Sequence, residues 1–220
     1  MSSERKMRVY VLSNTEITGA VKLPVIKIDF LKISVDLQKY DYLIFTSKNG
    51  VYAIDKICNE WKNIPSLAIG NATARKIEEL GGRVEFVAKR FYGDDFAKEI
   101  AEKFDKNRKF LYLRAKEVVS NLTAVLREHG FYVEEAVVYE TRCSDCKSLK
   151  KPEKNSYIIF SSPSTIRCFF KCFKWDKSYK AVAIGKKTAS FIPKDIDCIV
   201  SPVQTLQGTV DFLREEKALR

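Results

Sequence analysis

Histidine is almost absent: the 220 residues hold one, His129, placed before Gly130 at the end of a helical stretch. A helix cap with a favourable dipole contact accounts for it there. A Ser–His–Asp triad is therefore excluded, and imidazole catalysis has no other candidate. Long apolar runs are also missing. Nothing approaches the roughly 18 consecutive apolar residues of a spanning helix, so no membrane association is expected. The opening MSSERKMRVYVL lacks the apolar stretch and small-residue cleavage site of an export signal. The expectation is a cytoplasmic chain whose six cysteines are reduced thiols rather than a disulfide framework. Neither GxGxxG nor GxxxxGK[ST] occurs, so nucleotide phosphate binding finds no signature. No nucleic-acid module motif is present either, and the basic residues are dispersed.

What is present begins with charge. Lys and Arg number 39 against 28 acids, a net +11. That surplus suits a polyanionic partner, a molecule with many carboxylates among them, although a solvated Lys-rich surface explains it equally well. Short apolar runs alternate with amphipathic stretches. Strands are expected at 8–12, 23–30, 42–46, 66–69, 84–87, 109–113, 133–139, 156–160, 180–184 and 198–200. Several lack polar alternation, as strands covered on both faces do. Helices are expected between them, at 49–61, 72–80, 94–104, 118–129 and 205–216. The fold class is α/β with parallel sheets.

An internal repeat sharpens this. Leu43-Ile-Phe-Thr-Ser47 matches Ile158-Ile-Phe-Ser-Ser162, Ala68-Ile-Gly70 matches Ala183-Ile-Gly185, and Thr73-Ala74 matches Thr188-Ala189. The offsets 158 − 43, 183 − 68 and 188 − 73 all equal 115. Two copies of one strand–helix unit predict two similar domains. The first strand has no partner ahead of the first copy but fits beside the second. The expected division is therefore 1–29 with 142–220 as one discontinuous domain and 33–138 as the inserted one. Extended segments near 23–32 and 133–141 would form the hinge.

The repeated turns supply the candidate site. Ligands bind outside the carboxyl ends of strands in open parallel sheets. Thr46, Ser47, Lys48 and Asn49 are so placed, as are Ser161, Ser162 and Ser164. Small hydroxyls beside free backbone N–H groups suit carboxylates, while ordinary N-capping explains each residue singly. In Ile69-Gly-Asn-Ala-Thr73 and Ile184-Gly-Lys-Lys-Thr188 the glycine allows close backbone approach. Asn71, Thr73, Lys187 and Thr188, with Arg114 after the strand at 109–113, are counted as substrate-binding candidates. Cys143-Ser-Asp-Cys146 is a CxxC, and Cys168 and Cys172 lie a helical turn apart. Four thiolates of this kind can hold zinc, but the second pair reads as a buried helix face, so no metal is expected. Tyr139 leaves the hinge strand, where a phenol can donate a proton or simply pack.

Taken in order, DYLIFTSKNGV, AIGNATA, FLYLRA, LREHGFYVEEAVVYET, YIIFSSPSTI and AIGKKTA resemble the uroporphyrinogen-III synthase family, from Arg8 to about Leu213. The resemblance implies two similar doubly wound, flavodoxin-like domains joined by a two-stranded hinge, with the first strand belonging to the C-terminal domain. It implies hydroxymethylbilane, a linear tetrapyrrole with eight carboxylates, as small-molecule substrate, and no cofactor. It implies Tyr139 as the acid, and Ser47, Thr73, Ser162 and Thr188 lining the cleft. A monomer without nucleic-acid partner is expected. Two departures stand out: the stretch from Leu12 to Pro24 is too short for the usual helix, and Lys186 and Lys187 replace small residues. The rival reading is a two-domain clamp that binds nucleic acid or another anionic ligand without catalysis.

Overall fold

The computed structural model describes residues 7–90 and 92–218. The chain divides into two compact units, Met1–Lys27 with Arg142–Arg220, and Ile28–Thr141. The tips of the first unit, 1–6 and 219–220, lie outside the described residues.

The first unit is built on a five-stranded sheet, in which β1 (Val9–Val11), β2 (Val21–Lys22), β9 (Tyr157–Phe160), β10 (Lys180–Ala183) and β11 (Cys198–Val200) are ordered β11-β10-β9-β1-β2. Every pairing is parallel. Thus β1 lies between β2 and β9, with Val9 opposite Tyr157 and Val11 opposite Ile159. Its neighbours α5 (Pro163–Cys172), α6 (Lys186–Ala189) and α7 (Leu206–Ala218) follow β9, β10 and β11 in the chain. Residues 12–20 form turns rather than a helix.

The second unit carries six strands in the order β3-β8-β7-β4-β5-β6. They are β3 (Ile26–Phe30), β4 (Tyr42–Phe45), β5 (Ser66–Ala68), β6 (Val84–Val87), β7 (Lys109–Ala115) and β8 (Tyr132–Cys143). Pairings from β6 through β5, β4 and β7 to β8 are parallel. The chain passes from one unit to the other within β3 and returns within β8. Helices α1 (Lys48–Asp55), α2 (Asn71–Glu79), α3 (Gly93–Lys103) and α4 (Leu122–Glu128) complete it. The 115-residue offset carries β4 onto β9, α1 onto α5, β5 onto β10 and α2 onto α6, Tyr42 becoming Tyr157. In each sheet the strand at the copy's inner flank, β7 or β1, comes from elsewhere in the chain.

Leu43, Ile44 and Phe45 of β4 and Ile158, Ile159 and Phe160 of β9 are fully buried. Each such side chain contributes about 1.5–3 kcal/mol over exposure. These strands are therefore the firmest parts of their units, and the turns that leave them inherit that rigidity. Helix bounds differ from expectation where apolar residues face solvent. Val118 and Val119 are exposed, so α4 starts only at Leu122. Trp61 belongs to a separate 3-10 turn, Glu60–Asn63, rather than to α1.

The cysteines correct the sequence reading. Cys143 is joined to Cys168 and Cys146 to Cys172, both within the first unit, while Cys58 and Cys198 are free. The end of β8 and the turn after it lie against one face of α5, so residues 25 and 26 positions apart become neighbours. Neither spacing reveals its partner in the sequence.

Candidate active site

In the second unit, β4 is followed by the turn residues Thr46 and Ser47. Ser47 is the N-cap of α1: its backbone is extended, and its hydroxyl oxygen accepts from the Asn49 N–H at 3.2 Å. Two buried phenols converge on this turn. The Tyr112 hydroxyl on β7 lies 2.8 Å from Thr46 Oγ1. The buried Tyr139 side chain on β8 lies near Ser47. Tyr112 packs in the cluster containing Ile44 and Phe96, and Tyr139 in the cluster containing Leu43 and Phe45, so the tyrosines approach from opposite faces of the sheet. Just before Tyr139 the register slips: Arg114 pairs with Val137, but Ala115 pairs with Tyr139. The extra residue is a bulge, a device that re-aims the following side chain. The Lys116 N–H to Tyr139 carbonyl bond, 2.8 Å, closes the ladder beyond it.

Burial raises the Tyr139 hydroxyl above its ordinary value, and the neighbouring Ser47 side chain pulls it back only in part. Burial also raises Tyr112, against the bond it shares with Thr46. Both phenols therefore keep their protons at neutral pH, as a proton donor must. The sign for stability follows. The unfolded phenols ionise near 10 and the folded ones higher, so stability is intact below pH 10 and falls above it. An ultraviolet titration should show these two phenols ionising after the exposed tyrosines. Both ionising with the exposed set would contradict the buried placement.

Arg114, expected to bind substrate, is committed elsewhere. Its Nη1 donates to the Ala115 and Lys116 carbonyls and its Nη2 to Glu135 at 3.1 Å, while Nε is buried without a protein partner. Burial would lift the Glu135 carboxyl, but a short bond from Thr123 together with Arg114 holds it below the usual range. This network braces the β7–β8 ends. Asn71 opens α2 on the surface, whereas Thr73 is buried behind it.

In the first unit the equivalent turn holds Ser161 and Ser162, both half-buried. Ser162 caps α5 in a reciprocal capping box with Thr165, and its hydroxyl lies 2.9 Å from that of Ser164. Lys187 is exposed at the start of α6, and Thr188 is buried. Lys48 and Lys186 are likewise exposed. His129 is the C-cap of α4, its Nδ1 2.8 Å from the Val125 carbonyl. Sequence reasoning missed Tyr112, which reads as an ordinary inward strand residue. It also missed a groove of about 600 Å³ on the first unit, where Arg8, Lys22, Lys150 and Lys151 outnumber Glu153. Among the described residues no helix is long and apolar enough to cross a membrane.

Parallel sheets with helices between their strands, and hydroxyl-bearing turns after β4 and β9, define a mixed α/β protein. The family model described as uroporphyrinogen-III synthase HemD matches residues 18–211, so the chain belongs to that family. Relatives agree. A putative uroporphyrinogen-III synthase of Methanocaldococcus jannaschii is 27% identical over 209 residues, 88% of this chain and 87% of its own length. The porphyrin biosynthesis protein HemD of Ruminiclostridium josui is 27% identical over 82% of the chain, which spans only 39% of that longer protein. The crystal structure of uroporphyrinogen-III synthetase from Helicobacter pylori superposes with a TM-score of 0.81 at 27% identity, covering 98% of this chain and all of that one. Family and structural neighbours together indicate a uroporphyrinogen-III synthase of porphyrin biosynthesis.

Proposed function

We propose that the chain closes hydroxymethylbilane to uroporphyrinogen III, with inversion of the last pyrrole ring and release of one water. The observation that carries this is Tyr139, the tyrosine of the VYET segment, aimed by a bulge and buried beside the Ser47 turn. The phenol protonates the departing hydroxyl, pushed out by the pyrrole nitrogen lone pair. The substituted carbon of the last ring attacks the resulting electrophile, giving a spiro intermediate. The original carbon–carbon bond to that ring breaks and re-forms at its other α-carbon, across the ring nitrogen, turning the ring before closure. Loss of the ring proton restores the pyrrole and returns a proton to the phenolate.

The open tetrapyrrole closes unaided to the uninverted isomer, so catalysis rests on holding geometry. In this reading 1–29 with 142–220 and 33–138 are two flavodoxin-like domains, segments 23–32 and 133–141 are their hinge, and substrate lies in the cleft. Thr46, Ser47, Lys48, Asn49, Asn71 and Thr73 would contribute from one side, and Ser161, Ser162, Lys187 and Thr188 from the other. Arg114 positions the β7 end rather than touching substrate. The enzyme works as a cytoplasmic monomer, with no cofactor in the reaction. Incubation with freshly made hydroxymethylbilane, followed by isomer analysis, tests the proposal: predominantly type III product is expected, and type I alone would refute it.

Charge gives a second prediction. Binding through many exposed lysines makes each worth about 1 kcal/mol or less. Single substitutions such as Lys48→Ala or Lys187→Ala should raise KM only a few-fold. KM should also climb as salt approaches about 1 M, where screening reaches within about 3 Å. A KM unmoved by salt would remove electrostatics from the binding account.

A further inference from the structure

We propose that Cys143, Cys146, Cys168 and Cys172 form a structural zinc site when reduced. In sequence the two pairs are unconnected; the structure places them on facing segments. Cys143 ends β8 and Cys146 opens a 3-10 turn, Cys146–Ser148, whose N-cap Asp145 accepts from the Lys147 N–H. Cys168 and Cys172 sit one turn apart on α5. The links run in parallel, 143 to 168 and 146 to 172, with Cα separations of 5.1 and 5.0 Å. A two-residue spacer on a tight turn facing a three-residue spacer on a helix is a ligand pattern of tetrahedral zinc. Small adjustments suffice to open each pair to the edge of such a centre, about 3.8 Å for Zn–S bonds of about 2.3 Å.

Two further observations favour metal. A tetrathiolate centre carries a net charge of −2, and each cysteine has a basic chain neighbour: Arg142, Lys147, Arg167 and Lys171, against Asp145 alone. The sulfurs also border an apolar core: Cys168 is fully buried beside Phe169, and Cys143 and Cys172 pack against the same cluster. Among the described residues no group of three or more His, Cys, Asp or Glu is arranged to hold a metal ion in this disulfide-bonded form, in which the four sulfurs are paired. Conversion is balanced. Each disulfide takes two electrons and two protons from a dithiol reductant, which is itself oxidised to a disulfide. The four thiols then release four protons as Zn²⁺ takes four thiolates. Either form fastens the exit of β8 to α5, the disulfides under oxidising conditions and the metal under reducing ones.

The test uses the full chain, produced and kept under a thiol reductant with zinc supplied, then freed of excess metal. Mass spectrometry of the metal content should give one zinc per chain, released only after an organomercurial has titrated four sulfurs. Substituted cobalt should show the visible absorption of tetrahedral thiolate coordination, a readout independent of catalysis. Cys146→Ser with Cys172→Ser should abolish both signals, while Cys58→Ser with Cys198→Ser should leave both intact. A reduced native chain that retains no zinc and whose four thiols alkylate freely would overturn the proposal. So would equal zinc content after the Cys146/Cys172 substitution. Neither result bears on the cyclisation reading.

Discussion

Tyr139→Phe should lower kcat by about 10²–10⁴-fold, the usual worth of a positioned general acid. The ring stays packed with Leu43 and Phe45, and the loss is one hydroxyl beside Ser47. A single polar contact is worth about 1 kcal/mol in stability, so the melting temperature should move by only a few degrees. The product should remain the inverted isomer, because the phenol helps expel the hydroxyl while the shape of the cleft decides the fate of the ring. Water or a substrate carboxylate acting as substitute acid would shrink the loss towards tenfold. Full activity in the variant would end the acid assignment. A joint fall of activity and melting temperature would assign the hydroxyl to the fold instead.

The largest stability loss is expected from Trp61→Ala. Trp61 is fully buried, packs edge-on against Phe45 at 6.0 Å between ring centroids, and donates from Nε1 to Asp55 at 3.1 Å. Its ring also fills the space above Gly82, where an added Cβ would meet it at 2.3 Å. Truncation leaves a cavity and takes one donor from Asp55 Oδ1, which Lys62 still pairs at 3.2 Å, costing about 3–5 kcal/mol. For a chain of this size that is a fall of about 6–20 °C in melting temperature. Trp61→Phe should cost less, since the ring volume largely remains. Because Phe45 immediately precedes Thr46 and Ser47, the Ala variant should also lose activity at temperatures where it is still folded. A calorimetric shift of only a degree or two would mean the site collapses to fill the gap.

How far the sequence could be read depends on what each residue's environment adds. The apolar runs at 42–46 and 156–160 announced buried strands, because only a strand covered on both faces is apolar without alternation. The constant offset located the copies, since both the strand and the turn after it are under packing constraint. Helix ends were less legible. Val118 and Val119 look like a helix face but are exposed, and only the fold decides that. Tyr139 could be singled out at the end of an extended run, whereas Tyr112 could not: its role depends on the Thr46 hydroxyl reaching it across the sheet. Arg114 counts as a substrate-binding candidate in the sequence, because its engagement with Glu135 and two carbonyls depends on the β7–β8 pairing. Cysteine partnership was illegible for the same reason: spacing along the chain says nothing about which segment lies opposite.

The position of β1 has a consequence for how the molecule is made. Its residues Val9, Tyr10 and Val11 are almost wholly buried between β2 and β9, yet β9 begins only at Tyr157. During synthesis the second unit is complete on the ribosome while β1 still waits for its partner. At roughly 5–20 residues per second, nearly 150 residues of translation separate the emergence of β1 from that of β9, a delay of about 7–30 seconds. Throughout it the edge of β1 that β9 will cover is open to solvent and to other nascent chains. The hazard of misassembly is therefore greatest before β9 is made, and it falls on β1.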